Sequence, residues 1–184
     1  MWYAIRTEPG QEESMKLQIR SQMRGRERNN CKVLYRACKK RYLGAWHEET
    51  EVFLPGYLFL VSEERDYGPR CLYERIKIAG DIWNWGEYGT KEIQPVGKDG
   101  EELLEKLTEG TNEIGMSYGV IQNGVLKISR GVLVGMESRV RKIDRHKRKC
   151  YICVPFDNEE KEAEVGLEIM EKTWAAQDLL DKSF

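Results

Sequence analysis

From residue 118 onward the chain is a succession of short apolar runs at β spacing. Val125 to Ser129, Arg139 to Ile143, Cys150 to Pro155 and Ala163 to Met170 are separated by turn residues. In the last of these, Val165, Leu167 and Ile169 alternate with Glu164, Gly166 and Glu168, the period of a half-buried strand. About fifty residues built this way fit only a small all-β barrel. The barrel is set at 118–172, and 173–184 is read as a C-terminal tail, a short helix or a frayed end.

The first half carries a different pattern. Trp2 to Thr7 reads as a strand, Pro9-Gly10 ends it, and Gln11-Glu12-Glu13 places acid in the first turn of a helix. Met15, Ile19 and Met23 recur every four residues as the core face of that helix, with Lys16, Arg20 and Arg24 as a basic row beside it. Cys31 to Lys39, Ala45 to Phe53 and Tyr57 to Val61 have strand composition. Gly68-Pro69 opens a second helix with Leu72, Ile76 and Ala79 facing inward. Glu92 to Val96 is a further strand, and Asp99 with Glu102 marks a capping box for a helix bearing Leu103, Leu104 and Leu107. This order predicts an α+β domain of ferredoxin-like type over 1–108. The stretch 109–117, with Gly110, Asn112 and Gly115 and no periodicity, is the expected linker.

A net charge of −1 conceals a strongly uneven distribution. Between Met15 and Ala45 ten Lys/Arg face the single acid Glu27, a local +9. Between Tyr118 and Phe156 nine face Glu137 and Asp144, a local +7, whereas from Asp157 onward nine acids outweigh three lysines. No apolar run reaches membrane-spanning length, so no membrane role is expected. The opening Met1-Trp2-Tyr3-Ala4-Ile5 lacks the character of a secretory signal, which predicts a cytoplasmic protein. The odd count of five cysteines argues for reduced thiols. Cys150 and Cys153 have CxxC spacing, but on a strand residues three apart point to opposite faces, so neither a metal site nor a cofactor is expected. With His47 and His146 as its only histidines and no HExxH, GxSxG or phosphate-cradling loop, the chain is not expected to be an enzyme.

Two segments carry a family resemblance. Phe53-Leu54-Pro55-Gly56-Tyr57-Leu58-Phe59-Leu60-Val61 resembles the FPGY strand of the NusG N-terminal (NGN) domain, and Trp2-Tyr3 matches that domain's usual opening. Gly131-Val132-Leu133-Val134-Gly135-Met136-Glu137, followed by Val140 to Lys149, is similar to a KOW motif with its strand, turn and strand. Val132 stands where the family often has Pro, and Ser138 where it often has Gly. The resemblance implies a monomeric bacterial transcription elongation factor acting on the elongation complex, whose N-terminal domain binds the clamp helices of RNA polymerase. Lys39-Lys40-Arg41-Tyr42-Leu43-Gly44-Ala45-Trp46-His47 and the Asp144 to Lys149 turn look closer to the LoaP subfamily. That subfamily implies processive antitermination, with the KOW domain binding a structured RNA leader.

Alternate aromatics on one strand project from one face, where they serve either as core or as an anchor for a partner helix. The resemblance assigns Tyr57 and Phe59, with Trp2, to the polymerase-binding face and leaves Leu58 and Leu60 as core. If Val140 and Ile143 face the barrel interior, Arg139, Arg141, Lys142 and the turn Arg145-His146-Lys147-Arg148-Lys149 stand outside it, with Lys127 and Arg130 nearby. Such a cluster suits phosphate and base edges, and these ten residues are the expected RNA site. Lys16, Arg20 and Arg24 either contact non-template DNA or form a solvated helix face. The alternative functions are a general NusG-type factor whose KOW domain binds a ribosomal protein or Rho, and a ribosome-associated RNA-binding protein.

Overall fold

The computed structural model describes residues 1–22, 30–62, 93–156 and 159–173. The expected helix after Gly68-Pro69, together with Met23, Arg24 and the tail from residue 174, lies outside them. The described part is α+β, with two helices and three sheets. It begins with β1 (Trp2–Arg6), α1 (Glu12–Gln22), β2 (Cys31–Lys32), β3 (Tyr35–Tyr42), β4 (Ala45–Val52) and β5 (Tyr57–Val61). Then come β6 (Ile93–Val96), α2 (Lys98–Thr108), β7 (Glu113–Ile114), β8 (Ser117–Gln122) and β9 (Val125–Arg130). A 3-10 turn (Glu137–Arg139), β10 (Val140–Asp144), β11 (Lys149–Pro155) and β12 (Glu160–Thr173) complete it.

The first sheet has the order β2-β5-β1-β6, and every pairing in it is antiparallel. β1 and β2 therefore run parallel with β5 between them, so β1-α1-β2 is a split β-α-β unit. Strand alternation gives this sheet two apolar faces. Tyr3, Ile5, Leu58 and Leu60 pack with Met15 and Ile19 of α1, as the four-residue spacing of that helix predicts. Trp2, Ala4 and Phe59 point the other way, into a cluster with Leu103, Leu104 and Leu107 of α2 and Ile152, Val154, Phe156 and Val165 of the C-terminal half.

The turn that launches β5 is fixed by its sequence. Pro55 and Gly56 occupy the centre of a turn closed by the Tyr57 N–H on the Leu54 carbonyl, and Gly56 has a φ of 85°, which a glycine adopts without strain. Glu12 is buried, and instead of only facing the helix dipole its carboxylate accepts the N–H groups of Gly56 at 2.7 Å and Gly10 at 2.9 Å. α2 departs from its expected start. Gly97 is the N-cap and makes no side-chain cap, while the carboxylate of Asp99 is taken up by Arg139, so the capping box is not formed.

The stretch expected to be a linker contains β7, which pairs in parallel with β3, and the start of β8. Residues on both sides of it share one apolar cluster. α2 sits so close to β11 that a Cβ added at Gly100 would lie 2.2 Å from the Pro155 carbonyl oxygen. The C-terminal strands form one sheet in the order β10-β11-β12-β8-β9. The fourteen-residue β12 holds it together, pairing antiparallel with β11 up to Gly166 and parallel with β8 from Leu167. Edge strands β9 and β10 are not paired with each other, so the expected closed barrel is an open sheet. The segment 131–139 joins those edges, buries Leu133 and Met136, and presents the Glu137 carboxylate to the Ile128 N–H at 3.2 Å.

Candidate nucleic-acid interface

β10 and β11 form a hairpin whose last pair is Asp144 with Lys149, leaving Arg145 to Arg148 as the connecting turn. Asp144 accepts the Lys147 N–H at 3.0 Å, and that backbone hydrogen bond is the leading cause of a carboxyl pKa below the ordinary value. Arg148 sits in the left-handed region at φ 50°. Val140 and Ile143 pack against the apolar cluster, as expected, and Arg141, Arg145, His146 and Lys147 are exposed. Among the described residues none of these four side chains has an ion-pair partner.

The other expected RNA-binding residues have protein partners. Arg139 is bidentate on Asp99 at 3.1 Å, Arg148 is 3.0 Å from Glu168, and Lys149 is paired with Glu164. Lys142 lies 5.5 Å from the Tyr151 ring centroid and Arg130 lies 4.3 Å from that of Tyr118. Lys127 donates to the side-chain oxygen of Gln122 at 3.0 Å. Lys127 and Arg130 are on β9, at the opposite edge of the sheet order from β10, and not beside the turn.

The expected polymerase-facing aromatics are placed differently again. Trp2 and Phe59 are buried at 4% and 1% exposure, and Tyr57 is half-buried. Phe156 stands edge-on to Tyr57 at 5.6 Å and to Phe59 at 6.5 Å, while Trp2 meets Phe59 at 6.0 Å. In this conformation the C-terminal half covers the face on which the three were expected to be open. On α1, Lys16 is paired with Glu13 at 2.5 Å and Arg20 is half-buried beside it.

A neighbour of the turn that the sequence does not reveal is the β3–β4 hairpin. Its two strands pair from Tyr35 with Val52 to Tyr42 with Ala45, around Leu43 and Gly44, both at positive φ. Ion pairs tie it to β12: Arg36 bridges Glu51 and Glu164 at 2.5 and 2.6 Å, and Lys39 reaches Glu168 at 2.8 Å. The hydrogen bond to Glu168 is the leading cause of a raised Lys39 pKa. Trp46 receives the Arg148 guanidinium on its ring at 3.9 Å. Between hairpin and turn lies a cleft of about 490 Å³ whose walls include Lys40, Arg41, Trp46, His146, Lys147 and Lys149. Strand composition on either side of Leu43-Gly44 was the available signal for this hairpin, but it gives no hint of what the hairpin packs on.

Cys150 is buried and burial raises its thiol pKa to about 12, whereas Cys153 is half-exposed on the other face of β11. Among the described residues no cluster of three or more His, Cys, Asp or Glu could hold a metal ion, and no helix is long and apolar enough to cross a membrane. No family model matches the sequence, and comparison with the curated proteins gives no match.

Proposed function

We propose that this chain is a NusG-type transcription elongation and processive antitermination factor of LoaP character, working in the bacterial cytoplasm as a monomer. Its N-terminal half binds the clamp helices of RNA polymerase, and its C-terminal half binds a structured RNA. The observation that carries the RNA reading is the β10–β11 hairpin, where Arg141, Arg145, His146 and Lys147 stand exposed with no ion-pair partner among the described residues. A turn of this kind costs self-repulsion, and phosphate oxygens relieve it. Support for the NGN-like half comes from the split β-α-β unit and from the Leu54-Pro55-Gly56-Tyr57 turn, whose Gly56 N–H is held by Glu12. Support for the KOW-like half comes from five strands in one sheet with Leu133 buried in the connecting segment. Arg139, Arg148 and Lys149 serve the protein first, holding the turn and β10 against α2, β3–β4 and β12.

Binding a polymerase helix on the Trp2, Tyr57 and Phe59 face requires Phe156 and the strand before it to move away. The polymerase step on this reading is thus coupled to a displacement of the C-terminal strands. The test uses the full chain and a stem-loop RNA in a salt series. Affinity falls steeply with salt, and Arg145→Ala with Lys147→Ala lowers the log–log salt slope by about one per phosphate that the variant no longer neutralises. Equal, salt-insensitive affinity in the wild type and the double variant refutes the RNA reading and leaves a polymerase factor whose second partner is a protein.

A further inference from the structure

We infer that the cleft between the β3–β4 hairpin and the β10–β11 turn is a phosphate-binding site with one wall from each half of the chain. This goes beyond the RNA reading, which rests on the β10–β11 hairpin and does not require β3–β4. Its first support is where the unpaired donors stand. Arg41 on the hairpin wall and His146 and Lys147 on the turn wall line the cleft, are exposed, and have no ion-pair partner among the described residues. The acids that line it are already neutralised. Glu51 is held by Arg36 at 2.5 Å and Lys40 at 2.7 Å, and Glu164 by Arg36 at 2.6 Å and by Lys149. An incoming anion therefore meets free donors from two sides and no bare carboxylate among the described lining residues.

The second support is that the walls are set before any ligand arrives. Lys39 of the hairpin reaches Glu168 at 2.8 Å, and Arg148 of the turn shares that carboxylate at 3.0 Å while lying 3.9 Å from the Trp46 ring centroid. Hairpin and turn are thus tied through one carboxylate and one ring, so folding has already met the ordering cost of facing Arg41 with Lys147. The volume of about 490 Å³ is in the range of small-molecule sites. The direction of approach selects the ligand class. A carboxylate accepts within one plane, whereas a phosphate carries its oxygens on a tetrahedron and accepts from opposite walls at once. A guanidinium fork on one wall and an ammonium on the other suit the phosphate.

Arg145 supplies the control, because it is as exposed and unpaired as Lys147, two residues away, yet does not line the cleft. The test titrates the full chain with inorganic triphosphate, and with citrate as the comparison anion, at physiological salt, where exposed charges more than about 8 Å apart are largely screened. A site predicts one triphosphate per chain, affinity lowered about tenfold by Arg41→Glu and by Lys147→Glu but little changed by Arg145→Glu, and weaker citrate binding. Unchanged urea midpoints show that the variants are folded. If Arg145→Glu costs as much as Lys147→Glu, the effect is that of net charge and the site is refuted. Citrate binding as tight as that of triphosphate refutes phosphate as the ligand class. No triphosphate binding, while a stem-loop RNA still binds through Arg145 and Lys147, refutes the cleft and leaves the RNA reading standing; triphosphate binding without RNA binding does the reverse. Competition then names the source of the phosphate: displacement of the stem-loop RNA by triphosphate assigns the cleft to an RNA phosphate, and a ternary complex assigns it to a free phosphorylated molecule.

Discussion

Gly100→Ala separates two opposed physical effects and asks whether α2 is packed against β11. Gly100 is the third residue of α2 and its φ is not positive, so alanine fits its backbone. On an unencumbered helix the change stabilises by up to about 1 kcal/mol, because alanine has the better helix propensity. In this fold the new methyl would lie 2.2 Å from the Pro155 carbonyl oxygen and 2.7 Å from Cγ1 of Val96, where ordinary contact begins at 3.4 Å. The helix or the end of β11 therefore has to give by roughly 1 Å, an overpacking that costs about 1–3 kcal/mol. One of the atoms met is backbone, so the upper half of that range applies, and the net expectation is a loss of about 1–2 kcal/mol. Urea unfolding followed by far-UV circular dichroism reads it directly as a lower midpoint at unchanged m. A variant as stable as the wild type or more so would refute the reasoning, because it would mean that α2 is free of β11. The same displacement shifts Pro155, next to the Phe156 that covers Tyr57 and Phe59, so the destabilised variant also binds more of a dye specific for exposed apolar surface.

Arg36→Met removes a side chain that is 8% exposed and leaves Glu51 and Glu164 facing each other. Because Glu51 keeps Lys40 and Glu164 keeps Lys149, the expected loss by urea unfolding is about 1–3 kcal/mol, and no loss contradicts the bridge. The hydrogen bond from Arg139 holds the Asp99 carboxyl pKa below its ordinary value, so the pair's stabilisation is present above the unfolded pKa and lost as pH falls through the folded one. Urea midpoints measured from neutral pH down through the carboxylate range fall for this reason, and Asp99→Asn flattens that fall; an identical profile in the variant argues against the pair. With the Cys150 and Cys31 thiols raised to about 12 by burial, native-state alkylation at neutral pH marks Cys153 well ahead of both, and mass spectrometry of the digested protein shows it. Equal labelling of Cys150 and Cys153 means that β11 opens readily.

Legibility in the sequence followed the range of the interactions. The four strands read from Val125 onward, the Met15 and Ile19 face of α1 and the opposite faces of Cys150 and Cys153 are properties of period and local backbone conformation, and each is where its pattern put it. β7 and β8 were missed because Gly115 and the polar run before it mask strands whose pairing partners include the distant β3 and β12. The capping box failed because Asp99 found a better partner forty residues away in Arg139.

Which cations remain available and which aromatics are covered are questions of another kind. A strand's alternation says that Tyr57 and Phe59 share a face, and that inference holds. It does not say what lies on that face, and here Phe156, just beyond the end of β11, does. A charge run likewise says that Arg139 to Lys149 is basic, but only packing brings Asp99, Glu164 and Glu168 to Arg139, Lys149 and Arg148 while leaving Arg145 and Lys147 in solvent. Sequence by itself determined most of the elements and the sign of their charge, since these are set by neighbours within a few residues. The tertiary structure decided burial, neutralisation and the cleft between hairpin and turn, because those depend on the meeting of residues as far apart as Arg36 and Glu164.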